Sequence, residues 1–326
     1  MRSVMCTAVI AVAALSMASR EEPLTLLRSI ELPGVEGRID HLAFDAARQT
    51  LFVAALGNNT VEVLDVNAGT HVKSLHGFRE PQGIAVAADA KLIAVANGES
   101  DGLQLLTAGE YRPTQMVRLG DDSDNVRYDA SAKRLYVGFG SGALAAVDPG
   151  DGKVLAEAKL PGHPESFQLE RSGPRIFVNV PTADQIAVID RGTMTVTASW
   201  RVASARANFP MALDEADHRL YVGCRRPAKV VVYDIADGKE VGSAETVGDT
   251  DDLFYDSSRK RLYVTGGEGY VDVLQTEDAT RFSRIARVPT ASGARTSLFV
   301  PEQGRLYVAV PHRGGQKAEV RVYQAR

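Results

Sequence analysis

The chain has 326 residues, of which 44% are hydrophobic and 24% charged, with 29 glycines, 14 prolines and 2 cysteines. This composition is ordinary for a globular protein and excludes collagen-like, low-complexity and strongly disordered classes. The formal net charge of −4 makes a nucleic-acid partner unlikely by composition, because binding to phosphate backbones requires clustered lysine and arginine.

The N-terminus has the outline of a secretory signal peptide. Arg2 precedes an apolar run over residues 4–17, and residues 16–18 supply small side chains for a cleavage site. The run is short for a transmembrane helix, which needs about 20 apolar residues; a retained membrane anchor is the alternative. We therefore predict a signal peptide over 1–18, a mature chain over 19–326, a periplasmic or secreted location, and no transmembrane segment after processing.

A short apolar phrase recurs seven times along the rest of the chain. Successive copies begin 41 to 44 residues apart, and a basic residue often precedes the phrase. A fixed period of this length is the signature of a repeat architecture. The copies begin at Leu51, Leu92, Leu135, Ile176, Leu220, Leu262 and Leu306.

Each copy is flanked by two further apolar segments and followed by a weaker one. In the first unit these flanking segments are 42–44, 61–65 and 71–75, separated by turns rich in Gly, Asn and Asp. Long amphipathic helical stretches are missing from the sequence after the signal peptide. Four short antiparallel strands in each of seven evenly spaced units predict an all-β, seven-bladed β-propeller that forms a single domain.

The two ends of the chain predict how the ring closes. The seventh unit ends after its third apolar segment, 320–323, whereas a spare apolar segment, 24–32, precedes the first unit. We predict that this N-terminal segment is the outer strand of the last blade, where it pairs an otherwise exposed strand edge. A solenoid would instead leave capping residues at both ends. We expect a monomer.

The second-to-third strand hairpin of the first unit, LFVAALGNNTVEVLD over 51–65, resembles the YVTN repeat of bacterial YncE-like propellers. Tyr263-Val264-Thr265-Gly266 is the closest short match. The resemblance extends over essentially all of the chain after the signal peptide. It implies an exported propeller from a superfamily that includes both non-catalytic binding proteins and lactonase-type propellers.

The residues just before the innermost strand of each blade should ring one mouth of the central channel, because equivalent positions of a repeat sit at similar heights around the axis. Loops that converge on one concavity commonly bind ligands. One residue before the strand, the units carry His41, Gly83, Asn125, Ser166, Pro210, Asp252 and Ser297. Two residues before it, they carry Asp40, Gln82, Asp124, Glu165, Phe209, Asp251 and Thr296.

Four blades therefore direct carboxylates at the same mouth. Crowded carboxylates repel one another, which raises some pKa values or requires a cation. Oxygen ligands suit Ca²⁺ or Mg²⁺, and a histidine among them would also admit Zn²⁺ or Mn²⁺. In lactonase-type propellers, to which the resemblance points, a divalent ion at this mouth polarises a lactone carbonyl and activates water. The candidate metal ligands are Asp40, His41, Asn125, Glu165 and Asp252.

Arginines in the same loops support a different interpretation. Arg38 and three other arginines can neutralise the acids without any ion, and those three can clamp an anionic ligand by bidentate hydrogen bonds. The densest polar segments are 163–165 and 249–252, and either is a candidate location for a general base. The three arginines that occupy blades without an acid at the mouth are Arg79, Arg206 and Arg295.

Three functions remain open from the sequence. The first is an exported, non-catalytic protein that binds a small molecule, a glycan or a protein partner at the charged mouth. The second is a metal-dependent hydrolase of the lactonase type, and the third is a structural or assembly scaffold. The predicted ligand-binding residues are Arg38, Asp40, His41, Arg79, Gln82, Asp124, Asn125, His163, Glu165, Arg206, Asp251, Asp252 and Arg295.

Overall fold

The computed structural model describes residues 22–99, 102–278 and 280–326. The predicted signal peptide over 1–18 lies outside the described residues. Within these described ranges, no helix has both the length and the apolar character needed to cross a membrane.

In the described part of the chain, 28 β-strands form seven antiparallel sheets of four strands each, which we call blades 1 to 7. The strands of each blade are given from the channel outwards. Blade 1 consists of β2 (Leu42–Asp45), β3 (Thr50–Ala55), β4 (Thr60–Asp65) and β5 (Thr70–Leu75), and blade 2 of β6 (Pro81–Ala87), β7 (Leu92–Asn97), β8 (Gly102–Thr107) and β9 (Pro113–Arg118). Blade 3 consists of β10 (Val126–Asp129), β11 (Arg134–Phe139), β12 (Ala143–Val147) and β13 (Val154–Lys159), and blade 4 of β14 (Phe167–Leu169), β15 (Arg175–Val180), β16 (Gln185–Asp190) and β17 (Thr195–Arg201).

Blade 5 consists of β18 (Arg206–Asp214), β19 (Arg219–Arg226), β20 (Ala228–Asp234) and β21 (Glu240–Glu245). Blade 6 consists of β22 (Thr250–Asp256), β23 (Arg261–Gly266), β24 (Tyr270–Thr276) and β25 (Phe282–Pro289). Blade 7 consists of β26 (Ser297–Val300), β27 (Arg305–Val310), β28 (Glu319–Ala325) and β1 (Leu24–Glu31). Short 3₁₀ turns connect strands at Leu56–Asn58, Pro181–Ala183 and Pro301–Gln303.

The innermost strands of neighbouring blades contact one another around the channel. β2 of blade 1 contacts both β6 of blade 2 and β26 of blade 7, so the first and last blades are adjacent. This arrangement confirms the predicted seven-bladed β-propeller.

The recurring apolar phrase forms the second strand of each blade, and it is buried on both faces. Every residue of β3 is buried, although successive side chains of a strand point to opposite faces. Each face packs against a neighbouring blade: Leu105 of blade 2 and Val137 of blade 3, for example, belong to one buried cluster. Burial on both faces explains why these strands are continuously apolar in sequence instead of alternating.

The N-terminal strand closes the ring as predicted. β1 pairs with β28 in antiparallel register, from Leu24 opposite Ala325 to Glu31 opposite Glu319. Leu24 is 1% exposed and belongs to a buried cluster that includes Tyr323. Blade 7 is therefore built from both ends of the chain.

This closure predicts unequal effects for two leucines of β1. Leu24→Ala should lower the free energy of unfolding by about 2–5 kcal/mol, because it leaves a cavity in the closing blade. Leu26→Ala is the control, since Leu26 is 50% exposed, and it should change stability by less than about 0.5 kcal/mol. Chemical denaturation of both variants measures the difference. Equal stability of the two would contradict a structural role for β1.

Candidate functional site at one channel mouth

The loops that lead into the innermost strands converge on a cavity of about 230 Å³, which we call the mouth cavity. Each of the seven blades contributes at least one side chain to it. Seven of the thirteen predicted ligand-binding residues line this cavity: Arg38, Gln82, Asp124, His163, Glu165, Asp251 and Arg295. The other lining residues are Asp122, Phe209 and Arg225.

The backbone hydrogen bonds between the first two strands of a blade continue beyond the start of the innermost strand, and they fix the residues that were predicted to lie at the mouth. In blade 3, Asp124 N donates to Gly138 O at 3.0 Å, and Gly138 N donates back to Asn125 O at 3.0 Å. Glu165 N makes the equivalent bond to Asn179 O in blade 4, and Asp40 N makes it in blade 1. Equivalent residues of the repeat therefore do occupy equivalent places around the mouth.

A left-handed backbone conformation occurs two residues before the mouth position in four of the blades. The residue two positions before Gln82, Asp124, Phe209 or Asp251 has a φ between 48° and 56°. Such values are uncommon for residues other than glycine. The repeated turn directs the following side chain towards the mouth. The residues are Glu80, Asp122, Ala207 and Asp249.

One wall of the mouth cavity is formed by acids and a histidine from blades 3 and 4. His163 Nδ1 donates to Gly140 O at 2.7 Å and lies 3.3 Å from Asp122 Oδ2. His163 Nε2 faces Asp124 Oδ2 at 3.7 Å. Among the residues that the structure describes, the metal-ligand atoms of Asp124, His163 and Glu165 lie within 4.8 Å of one another.

Burial and mutual repulsion shift the pKa values on this wall. Burial, together with the charges of Asp124 and Asp251, raises the pKa of Glu165 to about 8. Burial alone would lower the pKa of His163, but hydrogen bonds with Asp124 and Gly140 outweigh it and raise the pKa to about 9. Near neutral pH, Glu165 therefore carries a proton and His163 is a cation.

Two buried carboxylate oxygens at the mouth lack hydrogen bonds. Neither Asp124 Oδ1 nor Asp251 Oδ2 has a hydrogen-bond partner among the described residues. His41 Nε2 lies 3.9 Å from the first oxygen, and Arg295 Nε lies 3.8 Å from the second. Buried polar atoms are nearly always hydrogen-bonded in folded proteins. These two oxygens can therefore accept a hydrogen bond from a ligand or coordinate a cation.

The opposite wall is formed by arginines from blades 5, 7 and 1. The Arg225 guanidinium lies 3.5 Å from the centroid of the Phe209 ring, donates from Nε to Thr250 O at 3.0 Å, and pairs with Asp251. Stacking on Phe209 fixes the plane of the guanidinium. Arg225 was not among the predicted residues, because it lies at the end of the second strand of its blade and the prediction considered only residues that precede the innermost strand.

Two further arginines complete this wall. Arg295 lies 3.0 Å from Asp249 Oδ2, and Arg38 lies 2.9 Å from Asp40 Oδ2. The side chain of Arg38 is 49% exposed, whereas that of Arg295 is 24% exposed. Each of the three arginines on this wall is thus paired with an aspartate, and the other wall carries further acids and His163.

Three of the predicted metal ligands surround a fourth, His41. Its Nδ1 lies 3.4 Å from Asp252 Oδ2, its Nε2 lies 3.7 Å from Asp40 Oδ1, and the Asn125 amide is 3.3 Å from Nε2. Burial would lower the pKa of His41, but the charges of Asp252 and Asp40 raise it to about 10. Near neutral pH, His41 is therefore itself a cation among these carboxylates. The fifth ligand, Glu165, lies with Asp124 and His163.

Arg79 and Arg206 lie on the outer rim and do not line the mouth cavity. Their side chains are 70% and 76% exposed, and they lie 3.9 Å from Glu99 and 3.8 Å from Asp184. The predicted anion clamp of Arg79, Arg206 and Arg295 is therefore not assembled. The structure assembles Arg38, Arg225 and Arg295 instead.

A larger cavity, of about 410 Å³, lies where the innermost strands of blades 3 and 4 end. Two of its charged residues form an internal ion pair, in which Arg191 lies 2.9 Å from Asp129. Glu170 accepts a hydrogen bond from Arg175 Nε at 3.0 Å. We take the mouth cavity as the candidate site, because side chains from all seven blades converge on it, whereas the larger cavity lies between two blades.

Comparisons with known proteins identify the fold but not the family. No family model and no curated protein matches the chain, so the resemblance to YncE-like propellers stays a prediction. A chain of Kuenenia stuttgartiensis hydrazine synthase is similar with a TM-score of 0.74 and 17% identity, over 85% of this chain and 95% of that one. A chain from the crystal structure of the mitotic checkpoint complex is similar with a TM-score of 0.76 and 12% identity, over 99% and 98%. At these identities the likeness shows the propeller fold alone.

The buried imidazolium predicts a pH-dependent stability. The pKa of His41 is about 10 in the folded protein against 6.5 for an ordinary histidine, so its stabilisation is complete below pH 6.5 and is lost as the pH rises towards 10. His41→Gln removes the imidazolium that lies between Asp40, Asp124 and Asp252. It should cost roughly 3 kcal/mol near neutral pH, and the gap to wild type should narrow at alkaline pH.

Chemical denaturation across this pH range measures the gap, and NMR titration of the ring should give a midpoint near 10. His76→Gln removes an exposed histidine and is the control. A gap that stays constant with pH would contradict a buried imidazolium.

Proposed function

We propose that the protein is a non-catalytic binding protein that takes a small anionic ligand into the mouth cavity. The observation that carries the proposal is the convergence of Arg38, Arg225 and Arg295, from three different blades, on one wall of a cavity of about 230 Å³. Guanidinium groups recognise carboxylate and phosphate by paired hydrogen bonds, which are stronger than neutral ones.

The arginines keep donors for a ligand. A guanidinium has five N–H donors. The Nε of Arg225 is committed to Thr250 O, and its pairing with Asp251 takes one further nitrogen. Stacking on Phe209 holds this guanidinium in one orientation before any ligand arrives. Such preorganisation lowers the entropic cost of binding.

The size of the cavity limits the ligand. Pockets for drug-sized molecules measure about 300–1,000 Å³, and the mouth cavity is smaller, at about 230 Å³. It therefore suits a metabolite with one or two anionic groups better than a glycan chain or a folded protein. The predicted signal peptide and the resemblance to YncE-like propellers support a ligand met outside the cytoplasm.

Succinate and inorganic phosphate are the probes for this proposal, with uncharged succinamide as the ligand control. We expect at least one of the two anions to bind in calorimetry, and succinamide not to bind. Arg295→Gln should weaken binding about 10–100-fold, because it removes charge-assisted hydrogen bonds worth about 1.5–3 kcal/mol. The titrations are made in the presence of a chelator, so that no metal contributes.

Arg79→Gln is the matched control, since it removes the same charge from the exposed rim of the same face. It should leave the affinity within about 2-fold of wild type, because exposed charges are screened by salt. An equal loss in both variants would mean that net charge, and not the mouth cavity, governs binding. Failure of both anions to bind would refute the proposal.

A hydrolase is the second candidate, and one observation favours it. The pKa of Glu165, raised to about 8 by burial, lies in the range of a general acid or base at neutral pH. A hydrolase would turn over a panel of small lactones, and Glu165→Gln would abolish the turnover while leaving anion binding intact. If wild type hydrolyses none of the lactones, the binding role alone remains.

A further inference from the structure

We propose that Asp124, His163 and Glu165 form a binding site for a divalent transition-metal ion such as Zn²⁺, on the wall of the mouth cavity that faces the arginines. The site goes beyond the anion binding proposed above and does not rest on it, because the two sets of residues lie on different walls. It also differs from the set expected from the sequence, of which it retains Glu165 alone.

The three side chains come from two adjacent loops. His163 and Glu165 lie two residues apart before β14, and Asp124 lies in the equivalent loop of blade 3. Their ligand atoms lie within 4.8 Å of one another. Atoms bound at about 2.0–2.2 Å to one tetrahedral zinc ion lie about 3.3–3.6 Å apart. Closure on an ion therefore needs pairs of ligand atoms to approach each other by up to about 1.5 Å, which side-chain rotation can supply.

His163 is oriented as a metal-binding histidine would be. Its Nδ1 donates to Gly140 O at 2.7 Å, with Asp122 Oδ2 a further 3.3 Å neighbour. These contacts keep a proton on Nδ1 and direct Nε2 at the two carboxyl groups. Near neutral pH, Nε2 and Glu165 also carry protons, which a metal ion displaces when it binds. A backbone carbonyl or carboxylate behind the ring is the usual support of a metal-bound imidazole.

A buried oxygen without a partner supplies independent support. Asp124 is 6% exposed, and its Oδ1 has no hydrogen bond to any described residue. Its backbone is fixed by the bond to Gly138 O, and the backbone of Asp124 lies directly against Gly83 of blade 2, where a Cβ would clash. The nearest cation to this oxygen is His41, whose Nε2 lies 3.9 Å away, beyond hydrogen-bond distance. A buried carboxylate oxygen without a hydrogen bond is costly, so a bound ion at this point would lower the free energy of the site.

The chemistry of the three ligands selects the metal. One imidazole nitrogen with two carboxylates suits Zn²⁺, Mn²⁺, Fe²⁺ or Co²⁺, whereas Ca²⁺ and Mg²⁺ prefer oxygen ligands throughout. Three protein ligands leave a coordination position open. The open position faces the cavity, where Arg38, Arg225 and Arg295 form the opposite wall.

The experiment uses the full chain after treatment with a chelator and dialysis. Zn²⁺ is titrated by calorimetry, and Co²⁺ by its visible absorption, whose intensity reports a low coordination number. We expect one ion per chain and a saturable Co²⁺ spectrum. His163→Gln and Asp124→Asn should each weaken Zn²⁺ binding by at least about 10–100-fold, the loss seen even for supporting residues of metal sites.

His312→Gln is the matched control. It removes another histidine beside a carboxylate, since His312 Nδ1 lies 2.6 Å from Glu36, and it should leave Zn²⁺ binding unchanged. Denaturation curves establish that each variant folds. If His163→Gln does not fold, the near-isosteric Asp124→Asn tests the site instead.

Three results would overturn the site. They are no saturable binding of either ion at micromolar concentrations, unchanged affinity in both site variants, or an equal loss in His312→Gln. An ammonium ion is the other occupant that the acids could accept. If methylammonium binds and Zn²⁺ does not, the acids form a site for an amine instead of a metal ion. Anion binding in the presence of chelator is scored separately, so either proposal can fail alone.

Discussion

The structure depends on the burial of each sheet between two neighbours. The middle strands are apolar on both faces, as in β3, where all six residues are buried. A blade taken out of the ring would expose both faces, so stability requires a closed ring, and pairing of β1 with β28 supplies the closure. The same constraint holds seven loops in fixed positions around one axis.

A rigid ring permits an arrangement of charges that isolated loops would not keep. Asp40, Asp124, Glu165 and Asp251 are held around one cavity mouth, and the free energy of folding must offset the repulsion between them. The structure meets this cost partly with His41 as an internal cation and partly by keeping Glu165 protonated. Shifted pKa values of this kind gather at functional sites, because a ligand that relieves the repulsion gains affinity from it.

The sequence predicted the backbone of the site far better than its side chains. A repeat of fixed length sets where equivalent residues lie, so Asp124, Glu165 and Asp251 were placed correctly at the mouth. The direction of a long side chain depends on its partners instead: Arg79 turns outward beside Glu99, whereas Arg225 turns inward over Phe209. β19 has eight residues where β3 has six, and this extension carries Arg225 to the mouth cavity. The recurring apolar phrase does not show where a strand ends, so the pattern did not indicate this residue.

The two walls of the mouth cavity also bear on what separates a binding protein from an enzyme on this fold. If a metal ion occupies the acidic wall, its charge increases the affinity of the arginine wall for an anion. Thermodynamic linkage then requires that the bound anion increase the affinity for the metal ion by the same factor. Such reciprocity would make the protein a sensor of two ligands without any chemical step.

Catalysis would need more than ligand binding. A bond of the ligand would have to be held against a proton donor, in a geometry where the transition state is bound better than the ligand. Glu165 shares the acidic wall with Asp124 and His163, so an ion held there would withdraw it from the role of acid. Metal binding through Glu165 and general-acid catalysis by Glu165 are therefore competing uses of one carboxyl group.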